Sequence, residues 1–155
     1  MDPLSNRVTL IQNAQRASRS RVTFSPRTGC NSSHAVFSLL RVLRDEGFLE
    51  GVEKVNTKQS VSPNLRVHLK YGSQGEPAIR RIFRVSTTGR RIYVSSVTLW
   101  QPQTTVGLLI LSTSQGRRTD REARQRGLGG EVILGVRLFS LVRWQIMPRK
   151  QLHMY

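Results

Sequence analysis

The residues best suited to contact chemistry lie in one short stretch, which reads Ser112-Thr113-Ser114-Gln115-Gly116 and is followed by Arg117-Arg118. An apolar run at 107–111 precedes it, so we expect a buried strand to end there and release three hydroxyls into a tight turn. Hydroxyls both donate and accept hydrogen bonds while arginines supply charge, a combination typical of a nucleic-acid surface. Taken alone, the five residues fit an ordinary Ser/Thr/Gly turn better.

Catalysis and metal binding find little support in the sequence. The histidines, His34, His68 and His153, are isolated, and Cys30 has no nearby partner for nucleophilic chemistry. No Cys/His spacing suits zinc, and the glycines at 127–130 lack the Lys-Ser/Thr of a phosphate-binding loop. We therefore expect no enzyme activity, metal, cofactor or small-molecule substrate. An RNA-modifying or RNA-cleaving enzyme stays open as an alternative, because a site can assemble from residues distant in sequence.

The charge balance points to a polyanionic partner. The 155 residues include 25 basic and 9 acidic side chains, which give a net charge of +16 and a pI of about 11.7. Of the basic residues 21 are arginines, which grip phosphate with two donors and stack on bases; genome base composition is an alternative source of this bias. At 78–126 ten arginines stand against Asp120 and Glu122, so this half is the stronger candidate for binding RNA or DNA.

The sequence also limits the setting of the protein. A single cysteine excludes an internal disulfide and suits a reducing compartment. No apolar run reaches the ~20 residues that a membrane helix needs; the nearest, at 132–147, is interrupted by Arg137 and Arg143, and we expect no membrane partner. Residues 5–27 are rich in Arg and Ser and lack acids, which is typical of a mitochondrial transit peptide or, as we favour, of a first helix that belongs to the fold.

Periodicity predicts two helices and three strands in a first lobe, residues 1–75. In chain order these are a helix at 2–16, a strand at 22–24, a helix at 31–46, and strands at 48–55 and 65–71. One apolar stripe at helical spacing indicates the second helix, and it consists of Val36, Leu39, Leu40 and Leu43. Gly47 is expected to end that helix.

A second lobe, residues 76–136, is predicted to consist of short strands with one helix. Its elements are a basic, partly apolar segment at 79–85, strands at 90–94, 107–111 and 132–136, and a helix at 120–126. Thr119 and Glu122 have the spacing of a capping box, and Gly127 closes the helix. The loop at 72–77 is the predicted boundary, and residues 137–155 form a C-terminal extension without clear periodicity. The expected fold class is therefore α+β, in two small lobes.

Residues 112–136 closely resemble the C-terminal signature of a known family, the universal small-subunit ribosomal protein number eight, in its bacterial form. The stretch reads STSQGRRTDREARQRGLGGEVILGV. Further stretches agree in order and spacing, at 2–13, 42–48, 84–86 and 89–93. The resemblance covers about residues 2 to 136 and does not extend to the C-terminal extension.

The resemblance implies two α+β lobes that bind a helix in the central domain of small-subunit rRNA early in assembly, beside neighbouring small-subunit proteins. The family's RNA-contacting hydroxyls map to Ser112, Thr113 and Ser114. The family's tyrosine and its glycine-glutamate corner map to Tyr93, Gly129, Gly130 and Glu131. We expect the site to be completed by Arg91, Gln115, Gly116 and Arg117.

Two of these residues have alternative roles, and two positions depart from the family. Tyr93 either stacks on an unpaired base or is a core aromatic with its hydroxyl at the surface. Glu131 either accepts from a base amine or, as we favour, holds the turn, because phosphate repels a carboxylate. Gln115 stands where the family usually has lysine, and Ser33-His34 replaces its basic entry to the second helix, so fewer phosphate contacts are expected at both places.

Two expectations concern the setting and the role of the protein. The match begins at Asp2, so we expect no cleaved leader and a gene that is bacterial or carried by the organelle that uses the protein. The C-terminal extension and the departures from the family favour a mitochondrial ribosome over a bacterial cytoplasm. A free RNA-binding regulator, which recognises a messenger mimicking the ribosomal site, is an alternative to a ribosomal protein.

Overall fold

The computed structural model describes residues 3–25, 33–56, 58, 63–100 and 107–138. The helices are α1 (Pro3–Arg16), α2 (Ser33–Asp45) and α3 (Asp120–Gln125), with a short 3-10 helix at Thr98–Trp100. The strands are β1 (Arg21–Phe24), β2 (Leu49–Val55), β3 (Asn64–Leu69), β4 (Ile79–Arg84), β5 (Tyr93–Val94), β6 (Leu108–Thr113), β7 (Gly116–Thr119) and β8 (Gly130–Leu138). The predicted α+β class is confirmed. The first residues of the two helices predicted at 2–16 and 31–46, namely Asp2, Asn31 and Ser32, lie outside the described residues, as do Cys30, His153 and the extension beyond Leu138.

The strands form two antiparallel sheets. The N-terminal sheet has the order β1-β3-β2. The C-terminal sheet has the order β4-β8-β6-β7, and β5 pairs with the first part of β8. The strands of the N-terminal sheet lie within residues 21–69, and those of the C-terminal sheet lie within residues 79–138. A tight loop joins them, in which the amide of Gly72 donates to the carbonyl of Glu76 at 2.8 Å.

Local patterns account for the elements that were predicted well. All four residues of the apolar stripe in α2 are buried, and Gly47 follows the helix with φ of +82°, a conformation that favours glycine. Leu65, Val67 and Leu69 are buried on one face of β3, as their alternation predicts. Thr119 caps α3, because its side chain accepts a hydrogen bond from the amide of Glu122 at 3.3 Å.

The C-terminal sheet differs from its prediction in several strands. The segment at 79–85 contains a strand, β4, in which Arg80 and Arg81 are both exposed and a register shift follows Ile79. The strand β7 was not predicted, because its four residues, Gly116–Thr119, contain no apolar side chain. The last strand runs to Leu138 rather than ending at 136, so two residues of the predicted extension belong to the sheet.

Two hydrophobic clusters cover the two faces of the C-terminal sheet. On the inner face, Ile82 and Leu134 join a large cluster that also contains Ile11 of α1 and Leu40 of α2. On the outer face, a smaller cluster contains Leu99, Leu109, Leu111, Ala123 and Val132. The N-terminal half therefore packs on the inner face, while α3 and the 3-10 helix pack on the outer face. None of the helices in the described ranges has the length and hydropathy that crossing a membrane requires.

Candidate nucleic-acid interface

The hydroxyl-rich stretch forms a β-hairpin rather than an open turn. Thr113 pairs with Gly116, so Ser114 and Gln115 alone form the connection between β6 and β7. The predicted end of the strand at Leu111 is therefore wrong by two residues, since Ser112 and Thr113 still belong to the ladder. Gly116 has φ of +93°, which explains why glycine closes this turn.

The three hydroxyls have different surroundings. The Thr113 hydroxyl is used within the hairpin, where Oγ1 donates to the carbonyl of Gly116 at 2.7 Å and accepts from the amide of Gln115 at 3.2 Å. Ser114 is exposed at the tip, and Ser112 is partly buried. Neither serine hydroxyl has a hydrogen-bond partner among the described residues. Two of the three predicted hydroxyls are thus left for a ligand, and the third stabilises the turn.

Strand register places four of the predicted site residues in one row. Ser112 of β6 pairs with Arg117 of β7 on one side and with Glu131 of β8 on the other, and Glu131 pairs with Tyr93 of β5. Residues directly opposite each other in an antiparallel ladder project from the same face of the sheet. Arg117, Ser112, Glu131 and Tyr93 therefore form a continuous surface, which we call the contact row.

Tyr93 forms one end of the contact row, and Glu131 lies beside it. Tyr93 is 71% exposed, so it is not a core aromatic and its ring is open to a ligand. Glu131 accepts a hydrogen bond from Nη1 of Arg91 at 2.9 Å, which holds the Arg91 guanidinium beside Glu131. This ion pair agrees with the role favoured for Glu131, in which its carboxylate holds the local backbone and does not contact a base.

Arg117, at the other end of the contact row, is a half-buried cation. Burial and, secondly, the neighbouring Arg84 guanidinium lower the pKa of Arg117, while the Glu131 carboxylate acts in the opposite direction. Its Nη1 is buried and has no hydrogen-bond partner within the described part of the chain. A half-buried cation beside a second cation is stabilised by a bound anion, so this end of the row suits a phosphate.

The pair Gly129-Gly130 allows three strands to meet behind the row. A Cβ added to Gly130 would lie 2.2 Å from the carbonyl oxygen of Ser112, and one added to Gly129 would lie 2.7 Å from the carbonyl oxygen of Val94. Neither glycine has a positive φ, so close backbone approach explains the residue type here. The two glycines thereby set the positions of both Ser112 and β5.

Two residues outside the predicted site also shape it. Ser86 is fully buried, and its Oγ accepts from the amide of Ile92 at 3.0 Å, which closes the loop that carries Arg91. Gln115 accepts a hydrogen bond through Oε1 from Nη1 of Arg126 at 3.1 Å. A cation therefore still lies beside the turn, although it does not belong to residue 115. In the sequence, Ser86 belonged to the resembling stretch at 84–86 and Arg126 to the ten arginines at 78–126, but neither pattern indicated these contacts.

The described residues contain no group of three or more His, Cys, Asp or Glu side chains that is suited to a metal. His68 is held by Glu53, whose Oε1 lies 2.7 Å from Nε2 of the ring on the polar face of the N-terminal sheet. His34 is exposed near the start of α2. The structure therefore does not bring His34 and His68 into the contact row.

A family model and individual known proteins both assign this chain to the same family. The family model described as ribosomal protein S8 matches residues 2–136. Among curated proteins, small ribosomal subunit protein uS8 of Citrifermentans bemidjiense is 40% identical over 136 residues, which cover 87% of this chain and 96% of that protein. The uS8 proteins of Bordetella pertussis (39% identical; 85% and 94% covered) and Thermus thermophilus (40% identical; 87% and 97% covered) are similar to the same degree.

Proposed function

This chain belongs to the ribosomal protein S8 family, and from that membership we propose that it is a structural component of the small ribosomal subunit. The family consists of structural proteins rather than enzymes, which removes the RNA-modifying and RNA-cleaving alternatives. We further propose that the protein binds the central domain of small-subunit rRNA, lies beside neighbouring small-subunit proteins and supports assembly and translation.

The contact row is the observation that carries the proposed RNA binding. It combines an exposed aromatic ring, a serine hydroxyl and a half-buried arginine across four adjacent strands, with the Ser114 hydroxyl at the nearby hairpin tip. A-form RNA presents 2′-hydroxyls and base edges in a shallow groove, and its irregular regions expose single bases. Hydroxyls suit the first target, an open aromatic ring suits the second, and arginine suits phosphate.

Each residue then has a distinct part in binding. Ser112 and Ser114 exchange hydrogen bonds with 2′-hydroxyls or base edges. Tyr93 stacks on an unpaired base, a contact worth about 1–3 kcal/mol. Arg117 neutralises a phosphate, and Arg126, held by Gln115, supplies charge at the position where the family usually has lysine. Thr113, Gly129 and Gly130 position these groups without contacting RNA through their side chains.

The location that we propose for the protein is the small ribosomal subunit. The relatives named above are bacterial, and they lend no support to the expected preference for a mitochondrial ribosome. The departures that prompted that expectation include Gln115, which in the structure brings Arg126 to the turn. At that position, the positive charge of Arg126 therefore replaces the charge of the family's usual lysine.

The proposed reading of RNA by a hydroxyl is tested with Ser114→Ala. Because Ser114 is exposed and has no partner in the described structure, its removal leaves the fold intact. We expect affinity for a transcript of the central-domain stem to fall about fivefold to tenfold, since one hydrogen bond contributes about 1 kcal/mol. Affinity for a random RNA duplex of equal length, measured in the same buffer, should change little. Equal losses on both RNAs would contradict specific reading by this hydroxyl.

A further inference from the structure

The loop between β4 and β5 has nearly the same residue pattern as the hydroxyl-rich hairpin. Residues 86–91 read STTGRR, and residues 112–118 read STSQGRR. In both stretches, three hydroxyl side chains are followed by a glycine and by two consecutive arginines. Residues 87 and 88 lie between the stretches at 84–86 and 89–93 that resemble the family, so the resemblance gives them no role. We call residues 86–91 the threonine loop.

The hydroxyls of the threonine loop are divided between internal and exposed positions, as they are in the hairpin. Oγ of Ser86 accepts from the amide of Ile92 at 3.0 Å, and Thr113 likewise bonds within its own turn. Thr87 and Thr88 are exposed, and their hydroxyls have no partner in the described ranges. Backbone hydrogen bonds of 2.9 and 3.2 Å between residues 87 and 90 close the turn, so the turn does not require the threonine hydroxyls.

The two arginines of the threonine loop are also divided in the way that those of the hairpin are. Arg91 pairs with Glu131 at 2.9 Å, as Arg118 pairs with Glu122 at 3.4 Å. Arg90 is exposed, and the described part of the chain gives its guanidinium neither a hydrogen bond nor an ion pair. Its charge is therefore available to a phosphate, which is the role proposed for the first arginine of the hairpin.

Backbone hydrogen bonds place the threonine loop beside one end of the contact row. Both ends of the loop are bonded to Val132, which directly follows Glu131. The amide of Ser86 donates to the Val132 carbonyl at 3.2 Å, and the Val132 amide donates to the carbonyl of Ile92 at 2.9 Å. Tyr93 comes next in the chain, and three residues of chain, which span at most about 11 Å, separate its Cα from that of residue 90.

We propose that the threonine loop is a second reading element for the RNA that the contact row binds. The hydroxyls of Thr87 and Thr88 exchange hydrogen bonds with 2′-hydroxyls or base edges of that RNA, and Arg90 neutralises a phosphate. The loop extends the interface beyond Tyr93, so that hydroxyl-bearing turns lie near both ends of the row. This inference rests on the proposed function and adds residues that determine specificity at the same site.

Position and chemistry favour RNA over a neighbouring protein as the occupant of the loop. The ring of Tyr93, which is proposed to stack on a base, is 71% exposed and lies two residues after the loop. An acidic protein segment would find only one unpaired cation there, Arg90, because Glu131 already neutralises Arg91. RNA carries a 2′-hydroxyl on each ribose beside each phosphate, which suits two hydroxyls next to one arginine.

Binding of the full chain to the central-domain stem and to a random RNA duplex tests the loop. The double variant Thr87→Val/Thr88→Val keeps the branched shape of both side chains and removes their hydroxyls. We expect it to bind the stem at least fivefold more weakly, the factor for one lost hydrogen bond, and to bind the random duplex like the parent. Arg90→Gln should weaken both complexes alike and lower the slope of log affinity against log salt by about 0.7–0.9.

Two variants outside the C-terminal sheet are the matched controls. Thr23→Val removes the hydroxyl of an exposed threonine of β1, and Arg41→Gln removes an exposed arginine of α2 while changing the net charge as Arg90→Gln does. Both should match the parent on both RNAs. An unchanged salt slope in Arg90→Gln would exclude the phosphate contact and overturn that part of the proposal.

The outcomes separate this inference from the proposed function. A parent chain that does not prefer the stem over the random duplex would contradict the proposed function and, with it, this inference. If the parent prefers the stem and Ser114→Ala weakens that preference, a threonine variant that matches the parent, or that weakens equally on both RNAs, overturns the threonine loop alone. The midpoint of urea unfolding should be the same for the threonine variant and the parent, because both side chains are exposed.

Crosslinking identifies the occupant of the loop without removing any of its proposed contacts. A Cβ added to Gly89 meets no atom within 4 Å, and its φ is not positive, so this position accepts a larger side chain. A photoreactive benzoylphenylalanine in place of Gly89, in a chain assembled into the small subunit, should crosslink to the same rRNA stem as one in place of Tyr93. A crosslink from position 89 to a subunit protein, or none while position 93 reacts, would overturn the proposal.

Discussion

Ser114 and Thr113 are adjacent hydroxyls in one hairpin, yet the structure gives them separate roles. The Thr113 hydroxyl makes two hydrogen bonds within the turn, whereas the Ser114 hydroxyl is exposed with no partner in the described chain. The sequence predicted the group and its chemistry but not this division. Which hydroxyl is used internally depends on the position of the ladder's last pair, Thr113 with Gly116, and no single residue type encodes it.

Arg117→Met tests whether the half-buried arginine serves binding at the expense of stability. Burial and Arg84 lower the pKa of Arg117, so its charge opposes folding, and methionine retains much of the aliphatic length. We expect the free energy of unfolding in urea to rise, while affinity falls alike for the stem and a random duplex. The salt slope should fall by about 0.7–0.9.

Arg118→Met is the control for that experiment. Arg118 pairs with Glu122 at 3.4 Å and lies opposite Leu111, so its side chain projects from the other face of β7. Its replacement should bring no gain in stability. A loss of stability in Arg117→Met would show that the guanidinium has a favourable partner in the free chain, and an unchanged salt slope would exclude a phosphate contact.

At the scale of secondary-structure elements, the close contact between β6 and β8 positions the contact row. Gly130→Ala would place a Cβ 2.2 Å from the carbonyl oxygen of Ser112, a backbone atom that cannot move aside without its strand. We expect the free energy of unfolding to fall by about 1–3 kcal/mol, the usual cost of overpacking, because a strand must shift. Urea denaturation measures the change, and affinity for the stem should fall with it as Ser112 moves.

Gly89→Ala is the matched control for the strand contact. Gly89 lies in the loop between β4 and β5, where an added Cβ meets no atom within 4 Å and φ is not positive. Its stability should therefore be unchanged or slightly higher. Equal losses for the two variants would mean that the Gly130 contact does not limit the approach of the strands.

How much of each element was predictable depends on how local its cause is. Three features depend only on residues that are close together in the sequence, and all three were predicted. They are the apolar stripe of α2, the alternation of β3 and the Thr119 cap of α3. The strand β4 has two consecutive exposed arginines at a register shift, which destroys the alternation by which strands are recognised. The contact row depends on a second register shift, between Ile110 and Leu111, and only the paired sheet reveals it.

At the scale of the whole molecule, the two halves meet at the end of α2. Burial raises the pKa of the Glu46 carboxyl above its ordinary value of 4.5, while Arg121 of α3 acts in the opposite direction. A carboxyl whose folded pKa is raised favours the folded state when protonated, and this stability is lost as pH rises through the raised pKa. The ionised Glu46 carboxylate therefore destabilises the folded state near neutral pH.

Glu46→Gln tests this account of the contact between the halves. The variant should have a higher free energy of unfolding than the parent at pH 7, and the gain should shrink as pH falls and vanish below about 4.5. Glu50→Gln, at an exposed position of β2, is the control and should change stability by less than about 0.5 kcal/mol at either pH. A gain that is equal at pH 7 and pH 4 would contradict a titrating Glu46.

The excess of positive charge is a property of the whole chain, and the sequence predicted its consequence without the fold. What the sequence did not predict is that arginines lie on both faces of one sheet, with Arg117 on the inner face and Arg81 with Arg137 on the outer face. The division into folding units at residues 1–75 and 76–136 stays a prediction. Side chains from both halves share the larger hydrophobic cluster.

The most direct test is a density map of the small subunit that contains this chain. We predict that the hairpin tip at Ser114 and the ring of Tyr93 touch a stem of the rRNA central domain, with a phosphate within reach of Arg117. A map in which the chain is absent, or in which those three side chains face protein or open solvent, would contradict the account.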